Sequence, residues 1–182
     1  MADLLTEGEQ KELLRIARET IIAHISGKDI PSVVNPSQGL TLKSGCFVTI
    51  KQKGQLRGCI GNFVSDNLLF QLVQEMAIAA ATQDPRFYPM KPDDLDAFKL
   101  DISVLSPLRL ITDVAEIVVG THGIYIIKNH CRGVLLPQVA TEYGWDRDTF
   151  LQHTCIKAGL PEEAWKKDCE IYVFSAQVFG EK

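Results

Sequence analysis

Two connections in this 182-residue chain are only two residues long, and they restrict the fold more than any other feature. Lys53-Gly54 sits between a β-rich run, Cys46-Phe47-Val48-Thr49-Ile50, and a segment that runs back from Gln55, so residues 46–63 read as a hairpin. Asn129-His130 does the same between Ile124–Lys128 and Cys131–Leu136. Such short links join antiparallel neighbours, because a parallel return needs a dozen or more residues. Phe98, Leu100, Ile102 and Val104 alternate with polar residues as a half-buried strand. Glu170 to Phe179 reads as one final strand, apolar on both sides and therefore central in its sheet. Strands near 46–52, 55–63, 98–105, 123–128, 131–136 and 169–178 do not alternate regularly with helices. The expected class is α+β, a single compact domain over 1–182 with a largely antiparallel or mixed sheet flanked by helices.

The helical signals are local and legible. Thr6-Glu7-Gly8-Glu9 has capping-box spacing, and Leu13, Leu14, Ile16, Ala17, Ile21, Ile22 and Ile25 follow at helical intervals until Gly27. His24 near that end suits the helix dipole and is read as structural. Residues 28–45, with Pro31, Pro36, Gly39 and Gly45, read as a crossing loop with an edge segment. Ser65 or Asp66 is expected to cap a helix whose apolar face runs from Leu68 through Ala80, and Asp84-Pro85 ends it. Short helices are expected over 92–97, 113–118 and at Trp165. Pro137 opens another, broken at Gly144-Trp145, and Asp146 caps the next, which buries Phe150, Leu151, Thr154, Cys155 and Ala158.

Between the hairpin's turn and the following helix lies Leu56-Arg57-Gly58-Cys59-Ile60-Gly61, a cation, a thiol and two glycines in six residues. Strand alternation puts Arg57 and Cys59 on one face and Leu56 and Ile60 on the other, towards a core. Gly58 and Gly61 suit a bulge or the close approach of a ligand or another backbone. A guanidinium two residues from a thiol favours the thiolate, whereas an isolated strand cysteine behaves as a small core hydrophobe. The residues support both readings equally.

This stretch resembles the signature of the AMMECR-one family. Asp84-Pro85-Arg86-Phe87-Tyr88-Pro89-Met90, Thr121-His122-Gly123-Ile124, Leu136-Pro137-Gln138-Val139 and Gly144-Trp145-Asp146 fit the same family in the right order, over roughly residues 8 to 180. The resemblance implies a compact α/β domain with two sub-regions and a cleft that the signature helps to line. It implies no settled reaction, and no cofactor follows from it.

The net charge of -4 and isoelectric point near 5.6 argue against non-specific nucleic-acid binding. No apolar run approaches a membrane span and the N-terminus lacks a secretory pattern, so a cytoplasmic location is expected. Five scattered cysteines without a Cys-x-x-Cys pair speak against disulfides and structural zinc.

Three functions use the same residues. In a binding site for a small anionic ligand, Arg57, Gly58, Gly61, Asp84 and Arg86 would line a cleft, with the glycines running toward a helix N-terminus. In a thiol enzyme, Cys59 would be the nucleophile and His122 the base, with Asp84 orienting a group nearby. In an interaction module, the cleft would take a partner protein. Asp84 and Arg86 also have a plainer role, pairing with each other to fix a turn. Neither a His-x-x-x-His pair nor a carboxylate cluster suggests a metal.

Overall fold

A computed structural model describes residues 4–182; the first three residues of the stretch read for a secretory pattern lie outside them. In chain order the helices are α1 (Glu7–Ile25), α2 (Leu69–Thr82), α3 (Pro137–Tyr143) and α4 (Arg147–Lys157). The strands are β1 (Cys46–Gln52), β2 (Gln55–Asn62), β3 (Phe98–Leu105), β4 (Arg109–Ile111), β5 (Gly123–Lys128), β6 (Cys131–Leu135), β7 (Glu170–Phe174) and β8 (Ala176–Gly180). They form two four-stranded sheets, in the orders β2-β1-β3-β8 and β4-β7-β5-β6. The α+β class holds. The chain divides into two compact units, residues 1–105 with 177–182, and residues 106–176.

In the first unit the capping box forms as the spacing requires. Thr6 caps α1, and the Glu9 carboxylate in turn accepts the Thr6 N–H at 2.9 Å. Glu9 also accepts from the Ser37 hydroxyl at 2.7 Å and the Gly39 N–H at 2.9 Å, fastening the 28–45 loop to α1. These bonds, the Thr6 N–H foremost, lower its pKa to about 2. The loop carries a single helical turn, Gly39–Thr41, instead of the expected edge segment. Its polar groups are met by α1 and α2 instead of a sheet neighbour: Gln74 donates to the Pro31 carbonyl and the Leu69 N–H to that of Leu42.

β1 pairs antiparallel with β2 and β3, and the fully buried face of this sheet is Cys46, Val48, Ile50, Leu100, Ile102 and Val104. That face packs with the apolar sides of α1 and α2 in one core. Each such side chain contributes about 1.5–3 kcal/mol by leaving water. At the chain end, Glu181 takes two bonds of 2.6 Å from Arg18 and one of 2.9 Å from the Leu100 N–H. The Arg18 guanidinium lies 4.1 Å from the Phe98 ring centroid. The C-terminus is thereby built into the first unit.

The second unit has its own core, with Ile111, Ile117, Ile124, Ile126, Phe150, Leu151 and Val173 buried together. Pro137 opens α3, Gly144 closes it at φ 65°, and Asp146 caps α4 by accepting from the Thr149 N–H at 2.8 Å. The expected final strand is two strands. It breaks at Ser175, whose N–H donates to Ser106 Oγ and whose carbonyl accepts from the Ser106 N–H, both at 2.8 Å. β7 is central in its sheet as expected, but β8 belongs to the other sheet and lies at its edge.

Thr20 is fully buried in α1, and its hydroxyl has no hydrogen-bond partner among the described residues. Valine has the same shape without the polar atom. Thr20→Val is expected to stabilise the protein by about 1 kcal/mol, read as a raised denaturant midpoint. An unchanged or lowered midpoint would mean that the hydroxyl is satisfied in solution.

Candidate functional site

The hairpin turn is tight because Lys53 and Gly54 both have positive φ, 52° and 78°. Beyond it the ladder is irregular. Ile50 faces Gly58 while Lys51 faces Leu56, so Arg57 is an extra residue in β2. A bulge of this kind re-phases the strand. Gly58 and Ile60 pair with Ile50 and Val48 on the core side, and Cys59 pairs with Thr49 on the other. Leu56 was expected to face the core with Ile60. Instead it is 42% exposed opposite Lys51, because the inserted residue reverses its side.

The same bulge separates Arg57 from Cys59. Arg57 reaches Asp94 in the turn that precedes β3, Nη2 to Oδ2 at 3.6 Å. No bond joins Arg57 to the thiol among the described residues. The two motif glycines are explained by packing. A Cβ on Gly58 would collide with the Ala80 carbonyl oxygen of α2, and one on Gly61 with the Phe47 ring and the Cys46 carbonyl oxygen. The expected helix N-terminus is also absent here. α2 starts at Leu69, seven residues after β2 ends, and Gln71 Oε1 accepts the Leu68 N–H at 3.2 Å. Ser65 caps nothing helical; its hydroxyl accepts from the Asn67 N–H within the loop.

Asp84 and Arg86 close the site. The Asp84 side chain is 2% exposed, and its Oδ2 accepts the Cys59 N–H at 2.9 Å and Arg86 Nη2 at 2.7 Å. Its Oδ1 accepts Arg86 Nε at 2.9 Å and the Arg86 N–H at 3.1 Å. Arg86 Nη2 reaches back to the Cys59 carbonyl at 3.5 Å. The pair thus grips both backbone polar groups of Cys59 from the open side of β2, an edge strand. Arg86, followed by the other groups bonded to Asp84, holds the carboxyl well below the usual carboxylate range. The plainer expectation, that Asp84 and Arg86 pair to fix a turn, is met, and the pair also fixes Cys59.

The thiol is half-buried, and the Thr49 hydroxyl lies 3.1 Å from its sulfur. Thr49 carried no signal in the sequence beyond its place in a strand. The register, once drawn, identifies it as the neighbour of Cys59. Burial pushes the Cys46 thiol up to about 12 and raises Cys155 and Cys169.

His122 belongs to the second unit, whereas Cys59, Asp84 and Arg86 belong to the first. Its Nδ1 accepts the Val118 N–H at 3.1 Å, so the neutral ring carries its proton on Nε2. Burial, and then Arg109, lowers its pKa and favours that neutral form. The ring in this state offers a donor. The Nδ1 lone pair is thus held by the backbone of the turn.

Among the described residues no group of three His, Cys, Asp or Glu side chains could hold a metal, and no helix is long and apolar enough to cross a membrane. Two helix-backed antiparallel sheets with the second unit inserted between β3 and β8 define the class of protein. The chain belongs to the AMMECR1 family, whose model it matches over residues 14–179. It is 45% identical to Protein MK0488 of Methanopyrus kandleri, over 100% of this chain and 93% of that protein. With Protein Mbar_A1807 of Methanosarcina barkeri the identity is 40%, over 98% and 93% of the two chains. The crystal structure of the uncharacterized protein PH0010 from Pyrococcus horikoshii is similar at a TM-score of 0.86 and 36% identity, covering 99% of this chain and 95% of that one.

The Asp84 geometry makes acid sensitivity a direct readout. A carboxyl whose folded pKa is depressed adds stability above its unfolded value, about 3.9, and loses it as pH falls through the folded value. Asp84→Asn keeps one acceptor but no charge. At pH 7 it is expected to cost about 2 kcal/mol, with the gap to the wild type narrowing as pH falls below about 4 and towards the depressed folded value. Denaturant unfolding over a pH series measures it, and a gap independent of pH would count against the assignment.

Proposed function

We propose that the first unit binds a small ligand at the Cys59 corner of β2, with an anionic group of that ligand taken by Arg86. The observation that carries this reading is the state of the Arg86 guanidinium. Its side chain is 55% exposed, yet its direction is fixed by the buried Asp84, and Nη1 has no hydrogen-bond partner among the described residues. The fork of Nε and Nη2 is taken up by Asp84, which leaves the fixed, exposed Nη1 amino group to donate to a carboxylate or phosphate oxygen. Because Asp84 balances the charge, recognition rests on direction more than on net attraction, and affinity is modest. Cys59 stands beside the bound group. Gly58 and Gly61 serve this site through packing, and Arg57 through its hold on Asp94. On this reading residues 1–182 work as one domain in the cytoplasm, and the acidic balance keeps it off nucleic acid.

A thiol-dependent reaction at Cys59 is the second reading, favoured by the Thr49 hydroxyl at 3.1 Å from the sulfur. A donor there stabilises negative charge on sulfur as it develops or departs.

Titration with inorganic phosphate and with succinate, followed by backbone amide NMR, tests the binding reading. Saturable shifts centred on Cys59 to Gly61 and Arg86 are expected, with dissociation constants on the order of 1 mM. Arg86→Lys keeps a charge but not the fork and is expected to weaken binding about tenfold. Equal binding by that variant would overturn the assignment. For the thiol reading, iodoacetamide on folded protein is expected to label Cys59 before Cys46 and Cys155, and Thr49→Val to slow that labelling, as read by peptide mass spectrometry. A Cys59 that reacts only after denaturation would end it.

A further inference from the structure

The Gly144-Trp145-Asp146 stretch has no part in the Cys59 site, yet it holds three rings in register. Tyr143 and Trp145 stack with centroids 4.9 Å apart and planes 17° from parallel. Trp145 and His153 stack at 3.9 Å and 1°. The stack is rigidly mounted. Gly144 turns the chain at φ 65°, the Trp145 N–H donates to the Ala140 carbonyl at 2.8 Å, and Asp146 begins α4. Trp145 also packs against the core of the second unit.

Tyr143 lies outermost at 68% exposure, an ordered aromatic surface facing water. Glu142, its neighbour in the chain, and Asp146 and Asp148, within five residues of it, are exposed. Asp146 is engaged as the α4 cap and Asp148 acts on Lys166, whereas Glu142 has no hydrogen bond or ion pair among the described residues. The nearby Arg147 donates its Nε–H to the Ile117 carbonyl at 3.1 Å. The face is aromatic and acidic together. That excludes a phosphodiester chain, which the carboxylates repel, and suits a planar cation. Lysine lacks the flat π-surface that matches a ring at stacking distance, whereas a guanidinium has it and keeps donors at its rim for a carboxylate.

We propose that Tyr143, backed by Trp145 and His153, is a docking platform for an arginine side chain of a partner protein, with Glu142 accepting its rim N–H groups. This surface lies within the second unit and stands or falls independently of the ligand site at Cys59. Because the stack is formed before the partner arrives, little side-chain entropy is lost on docking.

The test uses the full chain and the probe acetyl-Gly-Arg-Gly-amide, with NMR of the Trp145 indole and Tyr143 ring signals. Saturable shifts in the millimolar range are expected. The citrulline analogue, planar but uncharged, is expected to bind about fivefold more weakly, and Glu142→Gln to weaken the arginine peptide roughly threefold. Tyr143→Phe should retain binding and Tyr143→Ala should lose it, a thermal melt showing that both fold. The proposal is overturned if the arginine peptide leaves the rings unmoved, if Tyr143→Ala binds it equally well, or if adenosine monophosphate shifts the rings at lower concentration than the peptide does.

Discussion

The first unit depends on how the open side of β2 is satisfied. An edge strand leaves every second pair of backbone N–H and C=O groups without a ladder partner, a standing invitation to another strand. At Cys59 those two groups meet the Asp84 carboxylate and the Arg86 guanidinium instead. The pair acts as a one-residue substitute for a strand, delivered by the loop that leaves α2. Burying a carboxylate is unfavourable unless its oxygens are filled, and here four N–H contacts fill them. The same bonds therefore protect the edge and hold the cysteine backbone still.

The bulge at Arg57 is the second constraint. If β2 continued in simple alternation from the hairpin turn, with Leu56 opposite Lys51, Arg57 and Cys59 would fall opposite the buried Ile50 and Val48, and Gly58 opposite Thr49. One extra residue places Gly58 beneath α2, where only a hydrogen fits against the Ala80 carbonyl, and sends Cys59 to the Thr49 side. α2 can approach β2 closely because a glycine stands at the crossing and Ala77, Ala80 and Ala81 line the helix. Motif glycines that read as ligand contacts are thus accounted for by the packing of a helix on a strand.

What was legible in the sequence was whatever a local signal specifies alone. The two hairpins, the Thr6–Glu9 capping box, the Pro137 start and the Asp146 cap each need only a few neighbouring residues, and each formed where its residues stand. Features set by tertiary partners were not legible. A bulge has no residue signature of its own when glycine and arginine also suit a site. The break at Ser175 is invisible because apolar residues continue from Glu170–Phe174 into Ala176–Gly180 with no turn signal between them, and the sheet each strand joins tells them apart. The partnership of Asp84 with Arg86 was readable from their spacing, but its hold on Cys59, 25 positions away, was not. His122 stands just before a strand as its sequence indicates, but a turn histidine does not announce which of its nitrogens the backbone will occupy.

The insertion of residues 106–176 imposes an order on the first unit's completion. Its sheet needs β8, and α1 needs Glu181 for Arg18, but both arrive only after the whole second unit has been traversed. Leu5 and Gln177 exchange two hydrogen bonds across 172 positions. Closing such a loop costs entropy that grows only slowly with length, so the separation itself is tolerable. It becomes cheaper still if the intervening chain has already folded, because a compact unit whose ends are joined behaves as a short connection. Ser106 and Ser175 supply that junction, bonding each other through two contacts at the base of the inserted unit. The break at Ser175 is therefore more than a gap between strands. It is the point where a self-contained second core returns the chain to the sheet that carries Cys59.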